Sequence, residues 1–278
     1  MASYHCILID DPQPAVRRVT LNRPEKRNAL NNQLRAEILQ ALEEADRDPE
    51  VRVSILRGAG VCFSAGYDLG SNNAEAQPYY TAGGAGQWAR HVIEGSFRIW
   101  DLSKPVIAQV HGYCLAGGSE LATACDLVYV AEDAQIGYPP VRLMSPPDMQ
   151  FHPWLMSMRD AMEMMLTGDA ISGVEAAQKG FANRAFPAAE LEARVLEIAE
   201  RVAKIPTDLQ QINKRSVHRA MEIMGVRAAI RAGTELQALA FTTEASRSYL
   251  KELRKGVRQA LSLRDKTFGD YREREKKD

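Results

Sequence analysis

Four short apolar runs, at residues 16–21, 53–56, 105–110 and 127–130, constrain this chain more than any other feature. They are rich in β-branched residues, and the intervals between them include helical stretches at 32–45 and 89–102. Near-continuous apolar strands separated by helices are the pattern of a sheet covered on both faces, so the expected fold class is α/β. From Ala188 onward the chain reads as almost wholly helical, with helices at 190–203, 209–224, 228–239 and 245–263. Their apolar faces suit a packing or oligomerisation element. Residues 71–87 are rich in Gly, Ala, Asn and Tyr, lack periodicity, and are too long for an ordinary connection, so they read as a flap or insertion. The charged end YREREKKD reads as a solvated tail.

Composition narrows the function. With 45% hydrophobic residues in 278, the chain can bury a sizeable core. A formal net charge of -1 supplies no long-range field for nucleic acid or an acidic membrane, so any polyanionic partner must be met by local groups. Cys6, Cys62, Cys114 and Cys125 lie far apart without metal-type pairing and read as buried free thiols, which suits a cytoplasmic protein. The N-terminal MASYHCILIDDPQP is interrupted by acids and prolines, and no apolar run reaches ~18 residues, so neither a signal segment nor a membrane span is expected.

Two glycine-bearing segments carry the chemistry. The first, HGYCLAGGSELATACDLVYV from His111 to Val130, places Ala116, Gly117 and Gly118 between an apolar strand and a buried helix containing Glu120. Small residues at a helix start let a ligand approach the main chain and turn N–H groups toward it, an arrangement suited to an oxyanion. The second, RGAGVCFSAGYDLG from Arg57 to Gly70, follows another strand and contains Ser64, Ala65 and Gly66 ahead of Tyr67 and Asp68. Two donors from separate turns make a better oxyanion hole than one. Arg23, Lys26 and Arg27 form a local cationic cluster suited to phosphates. No metal-ligand cluster and no dinucleotide fingerprint is visible.

Together with LNRPEKRNAL at 21–30 and KPVIAQV at 104–110, FSAGYDL and HGYCLAGGSEL resemble the enoyl-CoA hydratase/isomerase family, the crotonase superfamily, over nearly the whole chain. The resemblance implies a spiral core of repeated ββα units over residues 1–205. It also implies a helical trimerisation region over 206–278, in a homotrimer or dimer of trimers. The implied substrate is an acyl-CoA thioester, so coenzyme A enters as part of the substrate and no separate cofactor is needed. Matching positions make the backbone N–H groups of Tyr67 and Gly117 the oxyanion hole. Arg27, Ala29, Ala65 and Leu69 match segments that contact the CoA nucleotide, and Asp68, Gly118 and Pro140 join them as substrate-binding positions.

Hydratases of this family use two glutamates. Glu120 matches the first, whereas the position of the second, after Pro139, is Pro140. Asp148 is the candidate replacement, because its separation from Gly117 is similar to that of the nucleophilic aspartate in the aryl-CoA dehalogenase branch. Its alternative role is an N-cap, since it follows two prolines and precedes a helical-looking stretch. His152 is a possible acid or base, or a packed core residue, and His91 a possible acyl-pocket wall. His111 reads as a structural hydrogen-bonder. Asp68 reads as orienting the Tyr67 loop or closing an Asx turn. Tyr67, Tyr79, Tyr80, Tyr138 and Trp88 are candidates for shaping a bulky acyl site. The methionines at helical spacing in 158–166 read as core. The leading expectation is an enoyl-CoA hydratase-type lyase. The alternatives are a family isomerase or acyl-CoA hydrolase using Glu120 and Asp148, and a noncatalytic acyl-CoA-binding protein.

Overall fold

The computed structural model describes residues 4–71, 77–84 and 86–269. It opens with a hairpin, β1 (Ile7–Gln13) and β2 (Val16–Leu21), bulged between Asp10 and Gln13. Strand β1 was not anticipated, because its acids and Pro12 break the apolar pattern; it survives as a sheet edge, where alternate residues face solvent. The chain continues through α1 (Asn32–Arg47), β3 (Val53–Gly58), α2 (Gln87–Trp100), β4 (Val106–Val110), β5 (Tyr113–Leu115), α3 (Gly117–Thr123), β6 (Leu127–Ala131) and β7 (Gln135–Gly137). After a 3-10 turn at Pro139–Arg142 come α4 (His152–Leu155), α5 (Met158–Thr167), β8 (Ile171–Ser172), α6 (Gly173–Gln178) and β9 (Arg184–Phe186).

The main sheet has the order β1-β2-β3-β4-β6-β9, parallel throughout except for the first hairpin. Its central strands are the apolar runs identified in the sequence, and Val53, Ile55, Leu56, Ile107, Ala108 and Val110 have no measurable exposure. A smaller sheet, β5-β7-β8, leads into the glycine turn at Ala116, Gly117 and Gly118. Helix α1 starts where the Asn31 side chain accepts the Leu34 N–H at 2.9 Å, and its Leu34, Ile38, Leu42 and Ala45 form a buried stripe at i, i+4 and i, i+3 spacing.

The helical end comprises α7 (Leu191–Ala203), α8 (Thr207–Ile223), α9 (Val226–Ala240), α10 (Glu244–Lys255) and α11 (Val257–Phe268). Helix α9 packs on α2, and α10 packs on α11. The single helix expected at 245–263 is two, because the backbone at Gly256 is extended; glycine costs about 1 kcal/mol in a helix interior and so concentrates the break there. The methionine run also divides: Ala161 and Met164 of α5 are buried, whereas Met158, Met162 and Leu166 face outward, correcting the expectation that the run is core. All four cysteines are buried free thiols. Among the described residues, no helix is long and apolar enough to cross a membrane. The flap segment lies partly outside the described residues, at 72–76 and 85, and the charged tail wholly so.

Candidate active site

Sequence-distant glycines bring the two turns into van der Waals contact. A methyl group on Gly66 would stand 2.8 Å from the Ala116 Cβ and 3.3 Å from the Gly117 nitrogen, and one on Gly118 would stand 2.5 Å from the Ser64 carbonyl oxygen. Ser64 and Cys114 form a single-residue β-bridge, and Leu115 N–H donates to the Ser64 carbonyl at 3.0 Å. Ala116 holds φ 50 and ψ -124 immediately before α3, a sparsely populated conformation that costs on the order of 1–3 kcal/mol and persists only where packing demands it. It turns the chain so that Gly117 begins α3, where an N–H has no intrahelical acceptor. Gly66, with φ +104, does the same service before Tyr67. Asn28, fully buried with φ 53, ties the 21–30 loop to this platform by donating to the Ala59 and Cys62 carbonyls at 2.9 Å each.

Beneath the turns lies a buried pair of carboxyls. Glu120, 1% exposed, accepts the Tyr67 hydroxyl at 2.7 Å and the Met149 N–H at 3.1 Å, with further hydrogen bonds from the Tyr138 hydroxyl and the Asp148 N–H. Burial pushes it up to about 7, with these donors opposing the rise. Asp148, 3% exposed, is raised well above the usual carboxylate range, first by burial and then by the charge of Glu120, while Arg35 and a hydrogen bond from Trp88 act the other way. Its Oδ1 has no hydrogen-bond partner. Burial biases both carboxyls toward the protonated form, and the Glu120 charge adds to that bias on Asp148, so the two resist ionising together.

Ala65 and Tyr67 of one turn, Ala116 of the other and Asp148 border a cleft of about 1270 Å³, while Gly117 borders a smaller cavity behind Tyr67. Ala65, Tyr67, Trp88, Tyr138, Pro140 and Asp148 line its inner part, and Lys26, Arg27, Arg254 and Arg258 stand along it as cations. Glu120 does not line it; Tyr67, Tyr138 and Asp148 stand between it and the cleft. The family model for enoyl-CoA hydratase/isomerase matches residues 11–270. The chain belongs to this family. A Mycobacterium tuberculosis protein named as an enoyl-CoA hydratase is 36% identical over 242 residues, covering 80% of this chain and 75% of its own. The mitochondrial enoyl-CoA hydratase of Pongo abelii is 34% identical over 209 residues, covering 74% of this chain and 69% of its own. The crystal structure of an enoyl-CoA hydratase from Mycobacterium smegmatis superposes with a TM-score of 0.87 at 30% identity, covering 96% of this chain and 95% of that one. That of an enoyl-CoA hydratase/isomerase from Xanthobacter autotrophicus gives 0.86 at 34% identity, covering 95% and 99%.

In this enoyl-CoA hydratase/isomerase family member, Arg27, Ala29, Ala65, Asp68, Leu69 and Pro140 all line the cleft. Asp68 accepts the Gly70 N–H at 3.0 Å and pairs with Arg23 at 2.9 Å, so it both closes an Asx-type turn and anchors the loop carrying Tyr67. That pairing corrects the expected cationic cluster: the Arg23 guanidinium is committed to Asp68 and the Ala29 carbonyl, leaving Lys26 and Arg27 at the cleft. Gly118, expected to contact substrate, lies outside the cleft wall and instead permits the close packing on Ser64. Asp148 caps no helix, because α4 begins only at His152 with Phe151 as its N-cap residue.

His152 is buried behind Phe181 with Nδ1 3.0 Å from Gln150 Oε1, and burial lowers it to about 4, so it is a core residue and not an acid or base of the cleft. His91 is stacked under Tyr79 at 4.1 Å and also lies away from the cleft, while His111 lies 2.9 Å from the Gly60 carbonyl oxygen. Of the aromatic candidates, Tyr80 is 90% exposed and Tyr79 borders only a smaller cavity behind Tyr67. Reading the sequence missed Arg254 and Arg258, which reach the cleft only because α10 and α11 fold back over it. It also missed the Trp88 hydrogen bond to Asp148. Among the described residues, no group of three or more His, Cys, Asp or Glu side chains could hold a metal ion.

Proposed function

We propose that this protein is an enoyl-CoA hydratase in which Asp148 takes the part left vacant by Pro140. The observation that carries this reading is the buried carboxyl pair, whose two members resist ionising together so that one can hold a proton while the other accepts one, beside two converging backbone turns. The Tyr67 and Gly117 N–H groups hold the thioester oxygen as it gains enolate character, a contribution for which losing one donor typically costs ~10²–10³ in rate. Water adds to the β-carbon as Glu120 takes up its proton, and Asp148 gives its proton to the α-carbon. Asp148 is better suited to this donor role than to nucleophilic attack, since a nucleophile needs the ionised form that burial opposes. The names of the relatives favour hydration over isomerisation, hydrolysis or binding alone.

Coenzyme A belongs to the substrate in this scheme, and Arg27, Ala29, Ala65, Asp68 and Leu69 hold it along the cleft, with no separate cofactor. The finer architecture follows the family: a spiral of ββα units over 1–205 and a trimerising helical region over 206–278. The exposed Leu209, Ile212, Val217 and Ile223 of α8 supply an apolar face for trimers or dimers of trimers. The buried free thiols fit a cytoplasmic setting. The test is purified protein with crotonyl-CoA and longer or cyclic enoyl-CoAs, following loss of the conjugated thioester absorbance. Hydration of at least one is expected; no turnover of any removes the hydratase reading.

A further inference from the structure

Glu120 is walled off from the cleft, and the route by which it exchanges protons with substrate follows from what stands between them. We propose that the Tyr67 hydroxyl is a proton relay, carrying protons between Glu120 and water in the cleft. This inference rests on the hydratase reading above and assigns Tyr67 a catalytic role beyond its backbone N–H.

Three observations support the relay. Glu120 is 1% exposed and absent from the cleft wall, whereas Tyr67 lines the wall and places its hydroxyl 2.7 Å from Glu120 Oε2. Each Glu120 oxygen already has a protein donor, the Tyr67 hydroxyl on Oε2 and the Met149 N–H on Oε1, so the Tyr67 hydroxyl is the group that joins this buried carboxylate to the cleft. The Tyr67 ring is also fixed: a methyl on Gly117 would stand 2.6 Å from its Cε2, and Trp88 meets it edge-on with ring centroids 5.2 Å apart. A relay needs that rigidity, because the hydroxyl must face donor and acceptor together.

The step balances without an outside reactant. The water oxygen bonds to the β-carbon while one water proton passes to the Tyr67 oxygen and the original Tyr67 proton passes to Glu120 Oε2. The π pair of the carbon–carbon double bond moves into the thioester enolate, which takes the Asp148 proton at the α-carbon. The proton on Glu120 then returns through the Tyr67 hydroxyl to cleft water and on to Asp148, which restores the starting state. The titratable and charged groups facing this path are Glu120 on α3, Asp148 and Tyr138 on the 138–148 segment, and Arg35 on α1. Burial and the neighbouring carboxyls raise the Tyr67 phenol well above its ordinary range, so it stays protonated and able to donate.

The test is kcat against pH, with an enoyl-CoA that the wild type hydrates, for wild type, Y67F, E120Q and the double variant. The relay predicts that Y67F and E120Q each lose ~10²–10⁴-fold at every pH, and that the double variant loses no more than either alone. If Tyr67 merely holds Glu120, Y67F moves the acid limb upward and recovers its activity at alkaline pH, which overturns the relay. A large loss in Y138F with little loss in Y67F also overturns it. An inactive wild type overturns the relay and the hydratase reading together, whereas an active wild type with an active Y67F overturns the relay alone.

Discussion

Replacing Glu120 with glutamine should flatten the dependence of folding stability on pH. Burial holds the Glu120 carboxyl at about 7 in the folded protein, against an ordinary value of 4.5. Between those values the folded state keeps a proton that the unfolded chain has released, so stability falls as pH rises through this window. The contribution is fully present below the unfolded value and lost once pH passes the folded one. A gap from 4.5 to about 7, at ~1.36 kcal/mol per pH unit, amounts to roughly 3 kcal/mol. Between about pH 4 and about pH 8 the wild type should therefore lose roughly 3 kcal/mol more stability than E120Q. The amide disturbs the hydrogen bonds from Tyr67 and Met149 by the same amount at both pH values, so that cost cancels when slopes are compared. Urea unfolding of both proteins across this range, followed by circular dichroism, measures the difference. Equal slopes would refute the reasoning, because they would mean that Glu120 titrates in the fold as it does in water.

Other substitutions separate the remaining parts of the site. D148N should lower kcat by ~10²–10⁴-fold while leaving product-CoA affinity nearly unchanged by calorimetric titration, since it removes a proton donor without removing a binding surface. W88F removes a hydrogen bond that lowers the Asp148 carboxyl, so that group should rise further and the alkaline limb of kcat should move to higher pH. An unmoved limb would show that Trp88 is only packing. G118A places a methyl 2.5 Å from the Ser64 carbonyl oxygen and should force the two turns apart, reducing kcat by ~10²–10³-fold if the paired N–H groups form the hole. Retention of full activity would detach the hole from this packing.

Much of the fold was legible because its signals are local. The apolar runs at 53–56 and 105–110 became β3 and β4, and the helical stretch at 32–45 became α1. Strand β1 was hidden by its edge position, and the break at Gly256 by an otherwise continuous helical pattern. Within the site, Glu120 and the glycine turns were visible as motifs. The salt bridge that withdraws Arg23 and the helices that bring Arg254 and Arg258 to the cleft were not, since each depends on residues far apart in the chain.

The amino-acid order alone determines the layered α/β core, the helical end, two backbone turns suited to an oxyanion, and the absence of a carboxylate at Pro140. Hydrophobic period and glycine placement act over a few residues and need no further context. Tertiary structure decides that the turns touch, that Asp148 shares a buried pocket with Glu120, and that Tyr67 stands between Glu120 and the cleft. Proton affinity is set by burial and neighbouring charge, and both arise only when separated segments pack together. The acid and base of this site are therefore products of the fold, although each carboxyl was written in the chain.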